Sequence, residues 1–240
     1  MSAHPGTTGA LVDPASVPGW LAQLVGRTAE LCPGDQRSGD QRRRPAVPEG
    51  ARAAAVLVLF AEDPRTGVPD VLLQLRSAGV SSHAGQVCFP GGAVEGTDDG
   101  PVATALREAA EEVGIRADDV RPLVVMPQLY LPPSDFVVTP VLGHWERPGP
   151  VAAVDLAETA AVARVPLRVL ADPAHRLTVR GPSGYAHPAF VIPEMLVWGF
   201  TGGLLDALLA MGGWERPWDP SAEYDLDSAW RLAKGTEVIG

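Results

Sequence analysis

The unbroken apolar run AAAVLVLF, residues 53–60, constrains this chain more than any other segment. A strand with one wet face alternates apolar and polar residues, whereas a continuous Val- and Leu-rich run of this length reads as a buried strand. The segment EDPRTGVPD that follows is dense in turn residues, and VLLQLRS beyond it reads as the antiparallel partner. Covering such a strand takes a substantial core, and 240 residues with a 46% hydrophobic fraction supply one.

Further strands are expected at VRPLVVMPQL, FVVTPVLGHW and TAAVARVPL, with HRLTVRG and GYAHPAFVI forming a hairpin around GPSG. Helices are expected over residues 101–113, opened by Pro101 and stopped by Gly114, and over TGGLLDALLAM. The order of elements predicts an α/β (α+β) fold, a mixed β-sheet sandwiched between helices.

Composition sets the boundaries. Residues 1–48, rich in Pro, Gly, Ala and charge, read as a partly disordered N-terminal extension. One helix is expected there, capped by Ser16, with Trp20, Leu21, Leu24 and Leu31 on its apolar side. The arginines at 42–44 read as a solvated linker. Residues 49–212 form the main domain, and 213–240, rich in Trp, Pro and Asp, read as a loosely ordered tail.

A formal net charge of −10 argues against sequence-independent nucleic-acid binding. Cys32 and Cys88 form no CxxC pair, and no signal-peptide pattern is present, so the cytoplasm is the expected compartment. The apolar stretch 194–213 contains Asp206 and five glycines and lacks basic anchors, so it is read as a buried strand-to-helix segment and not a membrane span.

The chemistry concentrates in ALREAAEEVGI, residues 105–115. With about 100° per residue, Glu108, Glu111 and Glu112 fall within an arc of about 100°. Val102, Ala103, Leu106, Ala110 and Val113 lie on the opposite face. Like charges so placed repel. The face is either well solvated or the seat of a cation. The preceding FPGGAVEGTDD brings Gly91 and Gly92, whose backbone can approach a ligand closely, and the further carboxylates Glu95, Asp98 and Asp99. Hard divalent cations prefer such oxygen-rich surroundings.

The stretch GGAVEGTDDGPVATALREAAEEVGI resembles the Nudix box, G-x5-E-x7-R-E-U-x-E-E-x-G-U, in which U is aliphatic. Gly92, Arg107, Glu108, Glu111, Glu112, Gly114 and Ile115 match. Asp98 stands for the first Glu, Ala109 fills the first aliphatic slot, and one extra residue before Arg107 leaves Asp98 and Asp99 as alternatives. Upstream, LLQLRSAGVSSHAGQVCFPGG is similar to the signature LLTxR(S/A)x3Rx3Gx3FPGG of the coenzyme A pyrophosphatase branch, with Gln74 in place of Thr and Ser81 in place of the second Arg.

The resemblance implies the Nudix fold and a metal-dependent hydrolase that splits the diphosphate of coenzyme A or acyl-CoA. It implies Mg²⁺ or Mn²⁺ on Glu108, Glu111 and Glu112, with Arg107 orienting Glu108 or Glu111. It implies a substrate contact through Arg76, Ser77, Gly91 and Gly92. The general base is either Glu108 or a carboxylate on a later loop, for which Glu158 is the candidate. The implied partner is a small-molecule, CoA-type diphosphate, with neither nucleic acid nor membrane, and a homodimer is compatible with it. Gln74 and Ser81 keep open a Nudix pyrophosphatase for ADP-ribose, a dinucleotide or an oxidised nucleotide. A non-catalytic Nudix sensor is the third reading.

Overall fold

The computed structural model describes residues 8–29, 47–79, 83–132, 134–181 and 184–235. Leu31, Cys32, Ser81, the arginines at 42–44 and the middle of GPSG lie outside the described residues. In chain order the elements are β1 (Gly9–Ala10), α1 (Gly19–Ala29), β2 (Arg52–Glu62), β3 (Pro69–Arg76), β4 (Val87–Cys88), β5 (Gly91–Ala93) and α2 (Gly100–Val113). They continue with β6 (Val120–Val125), β7 (Leu129–Leu131), β8 (Phe136–Trp145), β9 (Thr159–Pro166) and α3 (Leu167–Leu170). The remainder are β10 (Arg176–Arg180), β11 (Ala186–Ile192), β12 (Met195–Val197), α4 (Gly199–Gly212), β13 (Glu223–Asp225) and α5 (Leu226–Ala233).

The apolar run is β2, at the centre of the larger sheet, whose path is β1-β6-β8-β2-β3-β4. It pairs parallel with β8 and antiparallel with β3 and β5. Its alternate residues serve two cores. Val58 and Phe60 join one cluster with Leu21, Leu24 and Val25 of α1 and Leu204, Leu205, Leu208 and Leu209 of α4. Ala55, Leu57, Leu59 and Ala61 join the other with Ala105, Ala109 and Val113 of α2. A helix covers each face, which is why the run has no polar alternation. Each fully buried Leu or Phe there contributes about 1.5–3 kcal/mol by leaving water.

The helix expected near the N-terminus is α1, but Ser16 does not cap it. Ser16 ends a short 3-10 turn, Pro14–Ser16, that is itself capped by Asp13. The apolar stretch 194–213 holds β12 and the buried helix α4. No helix among the described residues is long and apolar enough to cross a membrane.

The segment after Gly213 departs from the loose tail expected of it. It carries β13, which pairs parallel with β10, and α5, whose Ala229, Leu232 and Ala233 pack on Leu177, Val179, Ala189, Val191 and Leu196. Asp225 caps α5 by accepting the Ser228 N–H at 2.9 Å. β10, β11, β12 and β13 make a second, smaller sheet. The Trp and Pro content suggested irregularity, whereas Trp214 packs against Phe60 with ring centres 5.8 Å apart. Those bulky groups find their partners far away in sequence, so local composition does not reveal them.

Candidate active site

The carboxylate helix α2 starts with Pro in its first turn and ends at Gly114, whose φ of 73° is the left-handed value favoured by glycine, with its N–H on the Ala110 carbonyl at 3.1 Å. Its buried side is broader than the expected one: Val113 is buried and Val102 and Leu106 pack on the core, as the helical period predicts. Ala105, Ala109, Glu112 and Val113 are buried, while Ala103 and Ala110 are only half-buried. The buried stripe thus extends toward the carboxylates and takes in Thr104 as well. Small Ala105 and Ala109 let the helix lie close to β2, and the Gly91–Gly92 segment slides beneath its acidic side. A Cβ on Gly92 would collide with the Glu108 carboxylate, and one on Gly91 with the Ala55 carbonyl. At Gly91 the obstacle is backbone, so only glycine fits, whereas at Gly92 a larger residue would push the end of the Glu108 side chain aside.

Arg107 is the hub of the exposed side. Its Nε and Nη2 donate to the two oxygens of Asp98, each at 3.0 Å. Its Nη1 donates to Glu108 at 3.0 Å and Glu111 at 3.1 Å, and Nη2 also reaches the Ala93 carbonyl at 3.1 Å. Asp98 further accepts from the Glu95 N–H and the Thr104 hydroxyl, both at 2.9 Å. The Arg107 hydrogen bonds hold the Asp98 carboxyl well below the usual carboxylate range. Asp99, the alternative left open by the extra residue, precedes α2 without any side-chain cap bond. Asp98→Ala is therefore expected to cost roughly 1.5–3 kcal/mol in urea unfolding, since charge-assisted hydrogen bonds are lost. Asp99→Ala should stay within about 0.5 kcal/mol.

Glu112 turns inward. Its Oε2 accepts the Gly91 N–H at 2.8 Å and the Gln74 side-chain amide at 2.7 Å, and its Oε1 lies 3.8 Å from Arg76 Nη1. Burial pushes the carboxyls of Glu112 and Glu108 above their ordinary values, against the pull of these donors and of Arg107 respectively. Cys88 borders the same group, 3.7 Å from the Gln74 amide nitrogen. Burial, and then the Glu112 charge, push its thiol up to about 11. At pH 8 the thiolate is then scarcer by on the order of 100-fold than for a free thiol with pKa near 8.5. Alkylation of Cys88, read by peptide mapping, should run at least about tenfold slower than for free cysteine and accelerate as pH climbs toward the folded-state value.

The expected residues largely converge. Arg107 joins Glu108 and Glu111 in one set, with Gly92 beside Glu108, and Glu112 joins Arg76 and Gly91 in another; α2 carries the carboxylates of both. Ser77 and Glu158 adjoin the second set: the Ser77 N–H donates to the Glu158 carbonyl at 2.7 Å, and the Glu158 side chain is exposed. The Gly91 N–H is committed to Glu112. Residues not singled out from sequence also belong here: Thr159 bonds Gln74, and Gln74 itself had registered only as a departure from a motif. His144 packs edge-on to Trp20, and His175 bonds the Val191 carbonyl, so both serve the fold. A cavity of about 260 Å³ around Asp70, Arg164 and Arg168 lies at the other end of β3 and shares no residue with either set.

Among the described residues no three His, Cys, Asp or Glu side chains already converge as a cation site. Arg107 stands between Glu108 and Glu111, and Glu112 faces Gly91. The donors nonetheless have the chemistry a hard divalent cation requires: carboxylate oxygens, two of them on the partly desolvated Glu108 and Glu112, beside the glycine loop.

The NUDIX domain profile matches residues 51–180, more than half of the chain. The chain belongs to the Nudix family. As a Nudix hydrolase it acts on diphosphates, and the matched span contains the whole carboxylate group. It is similar to a protein of Cronobacter sakazakii named as the uncharacterized Nudix hydrolase NudL, with 39% identity over 174 residues, covering 69% of this chain and 85% of that one. A NudL of Escherichia coli O7:K1 is 39% identical over 165 residues, 65% of this chain and 81% of the relative. Among solved structures, the Nudix hydrolase RenU of M. smegmatis shares 28% identity, with a TM-score of 0.42 over 51% of this chain and 74% of its own.

Proposed function

We propose that this Nudix hydrolase cleaves the diphosphate of coenzyme A or an acyl-CoA, yielding 4′-phosphopantetheine (or its acyl form) and adenosine 3′,5′-bisphosphate. One observation carries the reading. The segment LLQLRS…FPGG, similar to the coenzyme A pyrophosphatase signature, is folded against the Nudix helix, with Arg76 3.8 Å from Glu112 and Gly91 bonded to the same carboxylate.

Glu108, Glu111 and Glu112 would hold Mg²⁺ or Mn²⁺, which supplies neutralisation of the diphosphate and a lowered pKa for attacking water. The protein's own groups do the rest. Asp98 anchors Arg107, and Arg107 orients Glu108 and Glu111. Arg76, at the end of β3, offers a positive charge to a substrate phosphate, with Ser77 and Gly92 lining the approach. The proton of the attacking water goes to Glu108 or to Glu158 on the turn beside Ser77. The compartment in this reading is the cytoplasm.

Incubation with CoA and Mg²⁺ or Mn²⁺, followed by mass spectrometry, should show phosphopantetheine well above a Glu111→Gln control. CoA ranking far below ADP-ribose, a dinucleotide or an oxidised nucleotide in a panel would transfer the assignment to that substrate. Gln74, which replaces a Thr of the signature, is the residue that favours such a second reading.

A further inference from the structure

We propose that Gln74 is a positioning residue that fixes the inward-turned Glu112 carboxylate, leaving its Oε1 to offer to a cation, and ties it to the turn bearing Glu158. This rests on the reading that Glu112 belongs to the cation-holding set. Gln74 sits in β3 between Cys88 of β4 and Val162 of β9, and only 1% of it is exposed. Its amide nitrogen donates to Glu112 Oε2 at 2.7 Å and lies 3.7 Å from Cys88 Sγ, while its amide oxygen accepts from the buried Thr159 hydroxyl at 3.3 Å.

The polarity of this bridge is forced. A carboxylate takes only donors, so the NH₂ end must face Glu112, and the Thr159 hydroxyl then serves the oxygen end. With the Gly91 N–H at 2.8 Å, Glu112 Oε2 is doubly engaged, and Oε1, on the Arg76 side, is the oxygen left to offer. At the other end, Thr159 directly follows Glu158, whose carbonyl takes the Ser77 N–H. The β3–β9 register shifts between Leu75 and Arg76, beside this turn. One amide therefore links the helix carboxylate, across β3, to the turn carrying the later base candidate. Thr, which the signature has at this place, is two heavy atoms shorter with a single hydroxyl, and it does not span both groups. The departure at position 74 is a substitution with a mechanical role.

The test is Mn²⁺ binding without substrate, followed by electron paramagnetic resonance, on wild type, Gln74→Met, Gln74→Thr and Glu112→Gln, with thermal unfolding alongside. Loss of a partner that orients a metal ligand lowers metal affinity by about 10–100-fold. Gln74→Met and Gln74→Thr should each weaken Mn²⁺ binding by that amount, and Glu112→Gln at least as much. A residue that merely fills the core would shift the melting temperature and leave the affinity of the folded protein unchanged. Gln74→Thr supplies the measurement should Gln74→Met not fold. Wild-type affinity in the Gln74 variants with lost affinity in Glu112→Gln overturns the inference alone. Wild-type affinity in Glu112→Gln overturns the assignment of Glu112 as a ligand.

Discussion

Glu111→Gln is expected to lower diphosphate hydrolysis by on the order of 10²–10³-fold, the scale for losing one preorganised electrostatic group at a reacting centre. Stability should hardly move. The Glu111 side chain is 60% exposed, and its bond runs to Arg107, which keeps Asp98 and Glu108. Glu108→Gln should inactivate to a similar extent with the opposite trend in stability. Its carboxylate is partly desolvated, and the nearby Glu111 and Glu95 charges add to the push on its ionisation. A neutral amide removes those costs, so the urea midpoint should hold or rise slightly while activity collapses. Such a trade is expected where a function requires crowded charge. Steady-state kinetics with saturating metal, paired with urea unfolding, checks both. Activity within threefold of wild type in either variant would remove that residue from the proposed set.

The largest expected stability effect lies far from the chemistry. The Arg176 side chain is fully buried, with its guanidinium 4.7 Å from the Phe190 ring centre and 4.4 Å from that of Trp218. Its Nη2 is bonded to Asp206 of α4, whereas Nε and Nη1 find no hydrogen-bond partner among the described residues. Burial lowers the arginine's hold on its proton and raises the Asp206 carboxyl, each opposed by the partner's charge. Asp206→Asn leaves a buried cation without its counter-charge, a change that costs about 3–5 kcal/mol in general. The lower end applies here, because 31% of the Asp206 side chain faces solvent. The double variant Arg176→Met/Asp206→Leu removes both charges and keeps the aromatic sandwich filled, so it should be near neutral or stabilising. Urea unfolding of the two variants should therefore diverge by about 3 kcal/mol. Equal losses would show that packing, not charge pairing, holds the segment around Trp218.

Much of the scaffold is legible in local pattern. The run 53–60 announces a strand buried on both sides, and β2 is that strand. Pro101 and Gly114 bracket α2 within a residue, because ring geometry and left-handed φ are local properties. The crowding of Glu108, Glu111 and Glu112 is equally local, as is the motif spacing that led to the Nudix family. The failures share a cause. The helical period predicts that α2 has an apolar arc, but its docking angle depends on Ala105 and Ala109 meeting β2 and on the glycines under Glu108. Ser16 has the chemistry of a cap, yet the chain turns at Asp13 first. The segment after Gly213 looked irregular because its partners, β10 and Phe60, are distant in sequence.

Residue type and spacing alone determined the buried central strand and the acidic helix with its ends, and the resemblance of its motifs to the Nudix box supplied the class of chemistry. Tertiary structure alone decided which Asp holds Arg107, which oxygen of Glu112 is left to offer, and that Gln74 joins Glu112 to the Glu158 turn. Those choices rest on hydrogen bonds between groups on different strands and helices, and only the packed sheet brings such groups within 3 Å or so of one another.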